Sequence, residues 1–85
     1  MQTPFPHTVQ VRLFAILREQ AGLSSVDCQT LATTPAALYR ELEAGHGLKF
    51  PAGLLRVAVN DRYAAMDTPL KSGDRVAFIP PVAGG

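Results

Sequence analysis

The 85-residue sequence ends on two glycines, Gly84 and Gly85, set behind Pro80, Pro81, Val82 and Ala83 and directly after the apolar run RVAFI. Glycines at a chain end bury no side chain and order poorly. As a reagent the same ending makes sense. A terminal carboxylate is a poor electrophile until one of its oxygens belongs to a good leaving group, which adenylation by ATP would supply. A sulfur or amine nucleophile could then attack the carbonyl carbon. Glycine has no Cβ to obstruct that attack or to block passage through a narrow channel in another protein. The two prolines offer no N–H to a sheet and favour extended backbone, so they would project the end away from the body. Six extended residues reach at most about 20 Å, enough to enter a partner's pocket.

The other residue types that do chemistry are scattered. His7 stands in the leader and His46 lies between two glycines, apart from each other. As metal ligands they are isolated, and surface or helix-capping roles suit them better. Cys28 shares an alternating face with Val26 and has no basic neighbour to lower its pKa, so it reads as a small buried apolar residue rather than a nucleophile. Glu41 and Glu43 are two apart on a helical segment and point to different faces. Ser24, Ser25 and Ser72 have no partner base. Phosphate-binding glycine loops, HExxH and CxxC are all missing. The tail is therefore the one unusual group, and two readings of it stay open: a frayed end or a reactive one.

The elements that must hold this tail are legible from periodicity. VQVRLFA alternates, with Val9, Val11 and Leu13 on one face and Gln10, Arg12 and Phe14 on the other. ILREQAG predicts about two turns of helix closed by Gly22. SSVDCQT alternates again, as a second strand paired to the first. In TTPAALYRELEAGHG, Thr34 can cap, Pro35 suits the first helical position, and Gly45 or Gly47 can end the helix. Ala37, Leu38 and Leu42 give it an inward stripe. KFPAG is a loop. LLRVAVN alternates, with Leu55, Val57 and Val59 on one face and Arg56 and Ala58 on the other. NDRYAAM allows a tight turn and a short strand, DTPLKSGD is turn chemistry, and RVAFI is the last strand. The order strand, short helix, strand, long helix, three strands predicts an α+β domain, with one main helix packed on a mixed sheet. A β-grasp arrangement satisfies that order. Residues 1–8 are expected to be a disordered leader, 9–79 the folded domain and 80–85 a flexible, functional tail.

Length and composition agree with one small domain. Apolar residues make up 47% of the chain and charged ones 18%, the balance of a folded globular protein. The net charge of +1 comes from eight basic and seven acidic residues without runs, so no nucleic acid or anionic membrane is indicated as a partner. The single cysteine excludes an internal disulfide and fits a reducing compartment. MQTPFPH is not a signal peptide, and no stretch approaches the roughly 18 apolar residues of a membrane span. A cytoplasmic location is the expectation.

Alternation also predicts a surface. With Val9, Val11 and Leu13 inward, Phe14 falls on the otherwise polar face; Ala58 faces outward on its strand, Ile79 shares a face with Ala77, and Tyr63 follows the tight turn. If these strands are neighbours, Phe14, Ala58, Tyr63 and Ile79 form an apolar patch beside the tail root, of the kind that marks partner surfaces. The alternative is that one or two of them finish the core at the sheet edge.

The segments VRLFAILREQAG and RVAVNDRYAAMDTPLKSGDRVAFIPPVAGG, with their spacing, closely resemble the MoaD family of sulfur carriers, the small subunits of molybdopterin synthase. That family shares the ubiquitin-like β-grasp fold with the thiamine sulfur carriers. The resemblance runs from Val9 to Gly85 and is weakest in HGLKFPAG. Its specific parts are FA-x-x-RE-x-x-G from Phe14 to Gly22, the Val59–Asn60 pair, the SGD turn and FIPPVAGG. It implies a non-catalytic carrier subunit that binds no cofactor. A partner enzyme related to ubiquitin-activating enzymes would use ATP to join AMP to the Gly85 carboxylate. Persulfide sulfur would displace AMP to leave a thiocarboxylate. The tail, with Gly84 and Gly85 at its tip, would then enter the large subunit, in an expected heterotetramer, and donate sulfur to cyclic pyranopterin monophosphate for the dithiolene of molybdenum cofactor biosynthesis. Phe14, Arg18, Tyr63 and Ile79 match positions where family members contact the large subunit. Tyr63 and Ile79 depart from the usual leucine and phenylalanine there, while keeping the patch apolar. Ala58, Pro80 and Pro81 complete the expected docking surface. Rival readings are a carrier serving thiamine or cysteine synthesis, a ubiquitin-like modifier joined to lysines through Gly85, and an interaction domain with an inert tail.

Overall fold

The computed structural model describes residues 6–81. The chain runs β1 (His7–Leu13), α1 (Ala15–Ala21), β2 (Ser25–Thr30), α2 (Pro35–His46), a 3-10 turn (Ala52–Leu54), β3 (Arg56–Val59), β4 (Arg62–Ala64) and β5 (Arg75–Ile79). Every helix and strand foreseen from periodicity is present. The 3-10 turn replaces part of the expected KFPAG loop.

The five strands form one sheet in the order β2-β1-β5-β3-β4. β1 and β5 are parallel, with Val11 beside Val76 and Leu13 beside Phe78. The β1–β2, β3–β5 and β3–β4 pairs are antiparallel. The last strand thus sits at the centre of the sheet, between the first and third. A mixed sheet curled around one principal helix, with its final strand inserted centrally, is the ubiquitin-like β-grasp fold.

Local chemistry explains the boundaries. Thr34 is extended, and its Oγ1 accepts a hydrogen bond from the Ala37 N–H at 3.2 Å, while Pro35 occupies the first turn. Gly47 closes α2 in the left-handed region (φ 72°), where a Cβ would be strained. The buried stripe of α2 is Pro35, Leu38, Tyr39 and Leu42, the i, i+3, i+4, i+7 pattern of a helix face. Ala37, expected inward, is half-buried, and Tyr39 takes the larger share. These side chains meet Val9, Val11, Leu13, Val57, Val76 and Phe78 from the sheet in one continuous core. Burying each large aliphatic or aromatic group there contributes roughly 1.5–3 kcal/mol.

The sheet begins earlier than its alternation indicates. Within the leader 1–8, expected to be disordered, His7 and Thr8 belong to β1, His7 opposite Thr30. The Thr8 carbonyl accepts from the Gly73 N–H at 2.7 Å, and the Thr8 N–H donates to Ser72 Oγ at 3.2 Å. Both backbone groups are satisfied by a turn 64 residues away in sequence, a contact that side-chain periodicity cannot report. Residues 1–5 lie outside the described residues.

Candidate functional site

β5 delivers the chain to the tail root. Val76 and Phe78 are fully buried, and Ala77 and Ile79 occupy the opposite face. Pro80 is also buried, and Pro81 is the first exposed residue after the strand. The two prolines, both expected on a docking surface, therefore differ: Pro80 belongs to the body and Pro81 projects from it. Gly84 and Gly85, the expected reactive end, lie outside the described residues, as do Val82 and Ala83.

The register builds the surface beside this root. Arg12 on β1 faces Ala77 on β5, Ala77 faces Ala58 on β3, and Ala58 faces Tyr63 on β4. These four residues make one row across four strands. In the next row Ile79 lies opposite Arg56. Phe14 is extended (φ −125°, ψ 154°) and continues β1 one residue past the Leu13–Phe78 pair, which brings it level with Ile79. Ala15 then turns the chain into α1 at φ 51°, a left-handed conformation that costs an alanine roughly 1–2 kcal/mol. Phe14 is 40% exposed and Tyr63 71%. Arg18, four residues after Phe14, is exposed one turn further along α1.

Tyr63, Ile79, Pro80 and Pro81 come together with Leu54 and Arg56 around a groove of about 230 Å³ at the tail root. Ala58 lies one row away on the same sheet face, and Phe14 lies on the β1 side. The expected patch is thus continuous across the sheet rather than gathered at one point. Leu54, which is 61% exposed, was not singled out in the sequence. It sits in the 3-10 turn, where no alternating pattern assigns a face. Arg12 and Arg56 were legible as outward-facing, but their place over aromatic rings was not. The Arg12 guanidinium carbon lies 5.9 Å from the Phe14 ring centroid, and that of Arg56 lies 5.9 Å from the Tyr63 centroid. Both are within cation–π range.

The position of β3, β4 and β5 on this face is held by a polar hub at the far end. Asn60 and Asp61 form a two-residue turn with φ of 53° and 70°, the backbone a tight hairpin needs. Asn60 Nδ2 donates to Asp74 Oδ1 at 2.9 Å, and Asn60 Oδ1 accepts from the Arg75 N–H at 3.0 Å. Asp74 Oδ2 accepts from the Lys71 N–H at 2.8 Å. One asparagine therefore joins the β3–β4 turn to the start of β5.

The remaining chemical candidates stay apart from this face. Cys28 is half-buried rather than buried, in a groove between β2 and α2 with Asp27, Glu41 and His46. Its thiol pKa is pushed up by burial first and by the carboxylates of Glu41 and Asp27 second, the opposite of an activated nucleophile. Glu41 accepts a hydrogen bond from the buried Thr30 hydroxyl, whose oxygen also accepts from the Ala32 N–H. His7 sits on β1, and His46 is the last residue of α2. Among the described residues no three His, Cys, Asp or Glu side chains assemble a metal-ligating group, and no helix is long and apolar enough to cross a membrane.

The chain has counterparts among known proteins in both sequence and fold. The Escherichia coli K12 molybdopterin synthase sulfur carrier subunit is 36% identical over 80 residues, spanning 91% of this chain and 99% of that protein. A complex of subunits 1 and 2 of the molybdopterin-converting factor of Helicobacter pylori contains a chain with TM-score 0.65 and 33% identity, covering 92% of this chain and 99% of that one. The small archaeal modifier protein 1 of Haloferax volcanii superposes with TM-score 0.73 at 25% identity, covering 89% of this chain and 99% of that one. The model of the ThiS family matches residues 11–85, from the second half of β1 through both glycines. A match that includes the central strands, the main helix and the tail together places this chain in the ThiS family.

Proposed function

We propose that this chain is the sulfur-carrying, non-catalytic subunit of a molybdopterin synthase. The observation that carries the proposal is the tail root: a central strand ends in a buried and then an exposed proline, beside an exposed apolar groove, four residues ahead of Gly85. The similarity to a sulfur carrier subunit over nearly its whole length supports the same reading.

The chemistry lies at the Gly85 carboxylate and uses groups held by partners. An adenylating enzyme joins the carboxylate to the α-phosphate of ATP, releasing pyrophosphate. A persulfide sulfur attacks the acyl carbon and AMP departs. A second thiol then cleaves the sulfur–sulfur bond, leaving a thiocarboxylate on Gly85 and a disulfide on the donor. The loaded tail enters the large subunit, where its sulfur attacks cyclic pyranopterin monophosphate and water regenerates the carboxylate. Two loaded carriers supply the two sulfurs of the dithiolene, which suits a heterotetramer. This chain contributes the docking face, formed by Phe14, Arg18, Ala58, Tyr63, Ile79 and Pro81, and a tail without side-chain bulk at its tip. ATP is bound by the partner.

The test is an intact mass of the protein taken from its own cells with thiols protected. A species heavier by the difference between sulfur and oxygen, mapped to Gly85, is expected, together with co-purification of a molybdopterin synthase large subunit. A different large subunit would assign the carrier to thiamine or cysteine synthesis. The likeness to a small archaeal modifier protein favours a second reading, in which Gly85 is joined to lysines. A ladder of higher-mass conjugates lost on deleting Gly85, without thiocarboxylate, would establish it.

A further inference from the structure

The outer face of the sheet carries three arginines on its central strands, with Asp61 beside one of them and Asp27 opposite Gln10 on the outlying β2. Arg12, Arg56 and Arg75 are exposed on β1, β3 and β5, each flanked in sequence by a buried residue that points into the core. Between them lie Ala58 and Ala77, directly opposite each other, and with Arg12, Asp61 and Arg75 they line a depression of about 230 Å³. Two alanines where longer side chains could stand leave the guanidinium groups standing above a small apolar saddle.

The charges are unequally matched. Asp61 pairs with Arg75 at 2.8 Å, with both side chains more than half exposed. That is the one ion pair among the described residues, so neither Arg12 nor Arg56 has a carboxylate of those residues in direct contact. Each instead lies over an aromatic ring at cation–π distance, Arg12 over Phe14 and Arg56 over Tyr63. Such a contact favours one placement of a long side chain without satisfying its five N–H donors. An arginine so held loses less freedom when a planar acceptor arrives, and a carboxylate matches its fork in bidentate geometry.

We infer that this face docks a protein surface that presents carboxylates to Arg12 and Arg56 around an apolar contact on the Ala58–Ala77 saddle. The inference rests on the carrier reading above and adds the charge that the large subunit must display. Charge complementarity and continuity with the tail-root groove, which shares Arg56 and Tyr63, argue for that occupant. Nucleic acid fits less well. Asp61 stands within the patch, and three arginines form no phosphate-tracking stripe.

The test measures binding of the full chain to the molybdopterin synthase large subunit from the same cells, between about 50 and 500 mM NaCl, a range over which the screening length falls severalfold. Wild type is compared with Arg12→Glu/Arg56→Glu and with Arg12→Lys/Arg56→Lys, melting curves confirming that all three fold. Wild-type affinity is expected to fall at least about tenfold over that range. The double Glu variant should bind about 100-fold more weakly at low salt and lose most of its salt dependence, and the Lys pair should stay within about tenfold of wild type. Salt-independent binding, with the Glu variant within about twofold of wild type, overturns the inference and leaves the carrier reading standing. Should wild type not bind the large subunit at all, the carrier reading falls and an amide-resolved titration with polyglutamate decides the surface. Shifts at Arg12, Ala58 and Ala77 that vanish in the Glu variant uphold it, and no shifts there overturn it. Stronger shifts with a single-stranded oligonucleotide than with polyglutamate overturn the assignment to carboxylates.

Discussion

The rings of Tyr39 on α2 and Phe78 on β5 meet with centroids 5.2 Å apart and planes tilted by 57°. This contact clamps the main helix onto the strand whose next residues are the tail root. Tyr39 also reaches past the core, its hydroxyl donating to the Phe50 carbonyl at 2.8 Å. Tyr39→Phe keeps the ring and abandons that carbonyl, so it should cost about 1–2 kcal/mol in urea denaturation. Tyr39→Ala should cost about 3–5 kcal/mol. Equal stability of Tyr39→Phe and wild type would show that the carbonyl is satisfied by water.

Alkaline pH should weaken the fold through the same residue. Burial first, and Glu43 second, hold the Tyr39 phenol above its ordinary value of 10.0. Below that value both folded and unfolded states keep the proton and stability is complete. Above it the unfolded chain ionises first, so stability falls as pH rises towards the folded pKa. Cys28 acts with the same sign from its ordinary value of 9.0 upward. Unfolding free energies measured from pH 7 to 11 should therefore decline above about 9, and Tyr39→Phe with Cys28→Ala should flatten the decline.

Cys28 should be a slow nucleophile. At pH 7 its alkylation by iodoacetamide should run at least about tenfold slower than that of the same residue in the unfolded chain, because both access and thiolate fraction are reduced. Reaction at the unfolded rate would reassign the β2–α2 groove as open and reactive.

Asn60 carries two cross-links and a positive φ at once. Asn60→Ala should cost about 2–3 kcal/mol, since it loses both side-chain hydrogen bonds and places a Cβ residue at φ 53°. Asn60→Gly removes the same bonds but suits the turn, so it should be about 1 kcal/mol less damaging. Indistinguishable losses would mean that the backbone conformation contributes nothing.

Lengthening the tail by one alanine after Gly85 should leave the melting temperature within about 1 °C of wild type, because the last described residue before it, Pro81, is already exposed. Sulfur transfer to the pterin substrate should be lost. A large fall in melting temperature would make the tail part of the fold.

Much of the fold could be read from the residues. Strand alternation placed Val9, Val11 and Leu13 inward and Val57 on the face opposite Ala58, and Thr34, Pro35 and Gly22 marked helix ends, because these signals are local and have periods of 2 and 3.6 residues. Alternation also put Phe14, Arg12, Arg56 and Ala58 on the solvent face. Register and strand order are different in kind. That β5 lies between β1 and β3, that Arg12, Ala77, Ala58 and Tyr63 share one row, and that His7 and Thr8 join the sheet follow from backbone pairing between segments far apart in sequence. The Tyr39–Phe78 contact is not legible in the sequence, because a helix stripe reveals its face but not which ring the sheet will meet. Gly84 and Gly85 made the tail a candidate reagent in the sequence, and both lie outside the described residues. The arginine-lined saddle beside the tail root exists only once three separate strands set their arginines around two alanines, an arrangement decided by hydrogen-bond register and core packing in the folded chain.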